Sequence, residues 1–125
     1  MQRYVFIALG GALGSMARFW VGSTVSDRMG TRFPFGTLII NVSACLIIGL
    51  SLEFLNRHAD LNPSWRYLFP IGFIGAYSTF STFEWEAFAN ITNGAFWIAL
   101  LYVVASLISG LIAVALGVAL ARMIP

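Results

Sequence analysis

Residues 95–121 run without a single charged side chain. At about 1.5 Å per residue, a helix of that length crosses a hydrocarbon core about 30 Å thick. Three more hydrophobic segments precede it: residues 4–25, interrupted only by Arg18; residues 36–52, free of charge; and residues 67–83, closed by the acidic pair Glu84 and Glu86. Polar stretches separate them. They are the loop 26–34, the loop 53–66 with Arg57, His58, Asp60 and Pro63, and the turn Asn90-Ile91-Thr92-Asn93-Gly94. Hydrophobic residues make up 59% of the chain and charged ones 10%, too few to cover a soluble surface. The expected class is therefore an all-α integral membrane protein, with residues 1–125 forming one domain of four transmembrane helices. Residues 4–13 alone resemble the apolar core of a signal peptide, but the hydrophobic pattern continues past them. They are read as part of a retained first span.

Charge excludes several function classes and leaves topology open. The net charge of +2 arises from seven arginines and no lysine, spread over loops, which is no footprint for nucleic acid. Cys45 stands alone in an apolar run, so a disulfide framework is excluded and its simplest role is a small buried hydrophobe. The single histidine, His58, rules out a multi-histidine metal site. An even number of spans puts both termini on one side with Arg3, Arg57, Arg66 and Arg122, against Arg28 and Arg32 on the other. That margin is small under the positive-inside rule, and it permits insertion both ways up. An ordinary single orientation fits the charges equally well. Four short helices cannot readily enclose a polar path alone, so a dimer is expected, and an antiparallel homodimer would use the weak bias directly.

Polar residues inside the spans carry the functional signal. Ser78-Thr79-Phe80-Ser81-Thr82-Phe83 places four hydroxyls in six residues at membrane depth, just after Gly72 and Gly75, where a helix could break. Phe80 and Phe83 have helical spacing, and their positive ring edges can face an anion. In the second span Thr37 and Asn41 share a face, and an asparagine amide offers two N–H donors. Taken alone, Asn41 reads more simply as interhelical glue. Tyr102, Ser106 and Ser109 form one stripe on the fourth span, which should face a pore or a partner helix rather than lipid. Arg18 reads equally as an interfacial anchor or as an electropositive vestibule for anions. Gly10 with Gly14, and Gly11 with Ser15, make a small-residue face for close helix packing. Glu84 and Glu86 are most simply interfacial, a proton-coupled carboxylate being the competing role.

Together these residues resemble the Fluc (CrcB) family of fluoride channels. The match covers essentially the whole chain: the Gly-rich first helix with Arg18, Gly36-Thr37-Leu38-x-x-Asn41, and Gly72-Phe73-x-Gly75-x-x-Ser78-Thr79-Phe80-Ser81-Thr82-Phe83. The resemblance implies an antiparallel, dual-topology homodimer with two pores and a third helix broken near the midplane. A structural sodium ion would lie at the dimer interface, held by the backbone carbonyls of Gly75 and Ser78. It also implies that Phe80, Phe83, Asn41, Ser81, Thr82, Thr37, Tyr102, Ser106 and Ser109 line the fluoride path, with Arg18 at its vestibule. Ala76 and Ser78 depart from the family's usual Gly and Thr at the break. Ser109-Gly110 departs from the Gly-Ser order of some relatives. The implied activity is passive fluoride export across a prokaryotic inner membrane, relieving fluoride toxicity, and not an enzymatic reaction. The alternative is a small multidrug-resistance-type proton-coupled antiporter, which is similar in size and topology but relies on a carboxylate in its first helix. This chain has Arg18 there instead.

Overall fold

The computed structural model describes residues 1–125 and is built from helices alone. Helix α1 spans Gln2–Met29 and α2 spans Phe35–Arg57. The third crossing comes in two pieces. Its first, α3, covers residues 64–77 and is α-helical at Ser64–Arg66, π-helical at Tyr67–Ile74 and α-helical again at Gly75–Tyr77. Its second, α4, is Phe80–Thr92, and α5 follows at Phe96–Met123. Three helices, α1, α2 and α5, are each long and apolar enough to cross a membrane alone. The chain is a multi-pass membrane protein, with α3 and α4 sharing the third crossing.

Local chemistry explains the irregular third crossing. Pro70 lies inside α3 and has no N–H to give, and the helix widens there, so that the Gly75 N–H reaches back to the Pro70 carbonyl. Ser78 and Thr79 are then extended, at φ −73°, ψ 158° and φ −150°, ψ 112°. Thr79 caps the new helix, its hydroxyl oxygen accepting the Thr82 N–H at 3.3 Å. The sequence reading closed this segment at Glu84 and placed a turn at 90–94, whereas α4 runs through both acids to Thr92. Two forces extend it. Phe83 and Ala87 are buried on one face against Tyr102 of α5. The polar residues near its end bond back into the helix, Asn90 Nδ2 donating to the Glu86 carbonyl at 2.9 Å and Thr92 Oγ1 to Ala89 at 3.0 Å.

Packing rests on two parallel helix pairs, α1 with α3 and α2 with α5. Lipid tails are as apolar as leucine, so close backbone approach supplies what hydrophobic burial supplies in water. A Cβ on Gly117 would strike the Leu46 carbonyl, and one on Gly14 the Phe73 carbonyl. The expected small-residue face thus divides: Gly10 and Gly14 are buried against α3, while Gly11 meets only the Gly72 carbonyl at 4.0 Å. At the terminal side, Arg57 donates to the carbonyls of Ala121 at 3.0 Å and Ile124 at 3.1 Å, satisfying groups that the end of α5 leaves free. Large apolar side chains, among them Phe19, Trp20, Trp97 and Leu111, cover the outside. That surface matches lipid rather than water.

A contrast between two glycines checks this packing. Gly117→Ala should destabilise the protein by about 1–3 kcal/mol through overpacking. Gly11→Ala should be neutral, or stabilising by up to about 1 kcal/mol from helix propensity. Thermal unfolding in detergent reads both, and equal effects would remove α2–α5 backbone contact as the organising feature.

Candidate functional site

The centre of the molecule is the gap between α3 and α4, and a side chain from α2 fills it. Asn41 Nδ2 donates to the Thr79 carbonyl at 3.0 Å, while the Thr79 N–H donates to Asn41 Oδ1 at 2.8 Å. The primary amide has the same donor and acceptor as a peptide group, so it pairs with the extended residue as a neighbouring strand would. This satisfies backbone groups that lipid cannot. Asn41 therefore acts as glue, as the simpler reading held, but the glue holds the break itself. One of its two N–H donors is committed there and the other faces no partner in the chain.

A cleft of about 240 Å³ opens beside the break, walled by Asn41, Phe80, Phe83, Ser106 and Cys45. Phe80 and Phe83 lie with centroids 5.9 Å apart and planes at 40°. Their settings differ: Phe80 is 72% exposed on the outer face of the chain, and Phe83 is 6% exposed beneath it. The Ser106 hydroxyl is the one buried side-chain polar atom without a partner. Buried hydroxyls are as a rule hydrogen-bonded, so Ser106 stands out among the polar groups of these helices.

The rest of the polar stripe on α5 separates by role. Ser109 Oγ bonds back to the Ala105 carbonyl and contributes nothing to the cleft. Tyr102 is wholly buried, and its hydroxyl donates to Glu86 Oε2 at 2.8 Å. Thr37 donates to Glu86 Oε1 at 2.9 Å. Two hydroxyls from two helices thus converge on one carboxylate. Glu86 also lines a second cleft of about 420 Å³, with Ser26, Thr37, Asn90 and Asn93, that opens towards the loop 30–34. The sequence reading left Glu86 at an interface because it ended the helix there. On a helix continued to Thr92, Phe83, Glu86 and Asn90 fall at i, i+3 and i+7 of one face, and that spacing was the available signal. Phe83, on the wall of the first cleft, packs against Tyr102 with ring centroids 5.0 Å apart.

The remaining candidate residues gather at the break. Ser81 and Thr82 are exposed in the first turn of α4, and the Thr82 hydroxyl oxygen accepts from Thr79 Oγ1 at 3.0 Å. Arg18 reaches the same place, its Nη1 lying 3.5 Å from the Ser78 carbonyl. Gly75 is exposed. A regular helix would give its carbonyl the Thr79 N–H, which goes to Asn41 instead. No cluster of histidine, cysteine or acidic side chains that could hold a metal is present, and the oxygens at the break are backbone carbonyls, hydroxyls and the Asn41 amide.

Fold and site together define a polytopic membrane protein with a discontinuous helix, the architecture in which transport proteins place their ion sites. Residues 5–118 match the model of the family described as CrcB-like protein, Camphor Resistance (CrcB), and the chain belongs to that family. A protein of Acidobacterium capsulatum named fluoride-specific ion channel FluC is 52% identical over 116 residues, covering 93% of each chain. A second of the same name, from Solibacter usitatus, is 46% identical over 97% of this chain and 99% of its own. A third, from Citrifermentans bemidjiense, is 40% identical over 98% of both.

The pairing between Asn41 and Thr79 makes a local prediction. Asn41→Ala leaves a buried N–H and a carbonyl unpaired, a loss of about 1–3 kcal/mol for each group that finds no water. Hydrogen exchange at the Thr79 amide should accelerate strongly, while the Gly49 amide, deep in α2, stays protected. An unchanged Thr79 exchange rate would show that something else holds the break.

Proposed function

We propose that this protein is a fluoride-selective channel that lets the anion cross passively. The observation that carries the reading is the helix break fixed by Asn41, with Phe80 and Phe83 directly after it and an unpartnered Ser106 hydroxyl opposite. The names of the relatives support fluoride as the ion. Fluoride is small and holds its water tightly, so a path for it must offer close donors in place of that water. The free N–H of Asn41 and the hydroxyls of Ser106 and Ser81 serve as those donors. Ring edges of Phe80 and Phe83 add weak, positive contacts that let the ion leave again, since a site that binds too strongly stops conduction. Thr37 and Tyr102 form a further two-donor position, held in this conformation by the carboxylate of Glu86. An arriving anion takes that position when the carboxylate swings aside.

The working unit we propose is an antiparallel homodimer with two paths. Gly75, Phe80 and Ser81 are exposed at membrane depth, and a freed carbonyl and a hydroxyl cannot be left facing lipid. A second copy covers them, and the weak arginine bias allows it to insert upside down. A sodium ion fits between the two copies, held by the carbonyls of Gly75 and Ser78. These are hard oxygens that the break releases from helical bonding, and their ligation does not depend on the side chain of Ala76 or Ser78. Such a cation lowers the cost of an anion nearby. In a prokaryotic inner membrane this channel releases fluoride that has entered as neutral HF and lost its proton inside. No chemical bond is made or broken.

One observation favours a second reading, the proton-coupled antiporter: Glu86 lies within the membrane-crossing assembly, joined to Tyr102 and Thr37, and not at a helix end. Flux measurements in liposomes separate the two. Fluoride efflux with no pH gradient is expected, and efflux that requires a gradient would transfer the role to Glu86. Within the channel reading, Phe80→Ile keeps comparable volume at an exposed position and removes the ring edge. Fluoride flux should fall by at least about tenfold, the equivalent of about 1.4 kcal/mol, with the melting temperature unchanged. Undiminished flux would take Phe80 off the path.

A further inference from the structure

Arg18 is a full positive charge inside a membrane helix, and no carboxylate pairs with it. The only ion pair in the chain joins Arg122 to Glu53 at the terminal side. Intramembrane charges of this kind mark functional positions by default. The register of α1 on α3 fixes where the charge goes. Gly14 docks on the backbone of Phe73, and one turn further Arg18 Nη1 comes to 3.5 Å from the carbonyl of Ser78, five residues beyond Phe73. That carbonyl cannot turn away, because Asn41 holds the next residue through both its N–H and its C=O. At 3.5 Å the contact is at the long limit for an N–H···O bond, so the guanidinium leans on the oxygen without being locked to it.

We infer that Arg18 is a cation built into the helix break, and that it competes for the Ser78 carbonyl with the metal ion proposed there. The inference rests on the sodium reading above and deepens it. A carbonyl has two lone pairs, but two positive charges on one oxygen repel each other. When the metal is bound the guanidinium swings off, and when the metal is absent it takes its place. The break then never presents a bare carbonyl to an approaching anion, and the midplane stays positive in either state. Arg18 is a positioning residue in this arrangement, acting through the carbonyl and the metal.

Competition has a sign that a supporting role would reverse. Thermal unfolding of the purified protein is followed while sodium is replaced by N-methylglucamine at constant ionic strength, for the native chain, Arg18→Gln and Arg18→Lys. In R18Q the sodium concentration giving half of the stabilisation should fall severalfold, and in R18K, which keeps the charge, it should stay near the native value. Sodium dependence that emerges only in R18Q also supports competition. A rise in R18Q would overturn it, showing that the guanidinium prepares the carbonyl for the metal, and indifference to sodium in all three chains would overturn it as well. Should R18Q not fold at any sodium concentration, the native protein decides. Modification of Arg18 by phenylglyoxal, read by mass spectrometry, should quicken as sodium is raised, and a constant or slowing rate would count against the inference. Fluoride efflux from liposomes is measured separately, so a chain that carries no fluoride yet shows the R18Q shift retains this inference and loses the fluoride reading.

Discussion

The structure depends on one pairing, the side-chain amide of Asn41 with both backbone groups of Thr79. A membrane helix can stop and restart only where its free N–H and C=O groups are satisfied from within the protein. Asn41 supplies that satisfaction from a neighbouring helix, and its position on α2 is itself held by the backbone contact of α2 with α5. From the pairing follow the extended Ser78 and Thr79, the new helix start that aims Phe80 and Phe83, and the loss of a helical donor at Gly75. Without it the Thr79 N–H and C=O would be left unpaired in a part of the chain that water does not reach.

A second consequence is the way polar groups are shared out. Most hydroxyls in these helices are spent: Ser15, Ser23, Ser43, Ser51, Thr92 and Ser109 all bond back to carbonyls of their own helices. Thr37 and Tyr102 spend theirs on Glu86. Of the buried hydroxyls only that of Ser106 has no partner, and it lies on the same cleft as Asn41 and the two phenylalanines. A site is recognisable here less by how many polar residues it gathers than by which of them are left without a partner.

Periodicity and charge made much of this legible before any coordinates. The uncharged runs gave the crossings, since a continuous apolar run of this length hides its backbone in lipid by forming a helix. The Gly72–Gly75 pair ahead of the hydroxyl tandem marked the broken helix. Asn41 was legible as glue but not as the clamp on Thr79, because the pairing joins residues 38 positions apart in sequence. The end of this segment lies beyond Glu84 and Glu86 for a local reason: Asn90 and Thr92 resemble turn formers, yet both bond back into α4, which runs on to Thr92. Ser109 had the right spacing for the stripe, yet its hydroxyl is satisfied within its own turn. Spacing places a residue on a face and does not say whether its hydrogen bonds are already made.

By itself, then, the sequence determined the solvent this protein lives in, its crossings, and the depth at which polar groups lie. These follow from local quantities, the hydropathy of a run and the position of a glycine or proline. Only the tertiary structure decided which polar groups are free. It brought Asn41 to Thr79, set Thr37 and Tyr102 on Glu86, and carried Arg18 to the Ser78 carbonyl. Each of these is a contact between different segments of the chain, brought together by packing, and hydropathy along a single segment does not reveal it.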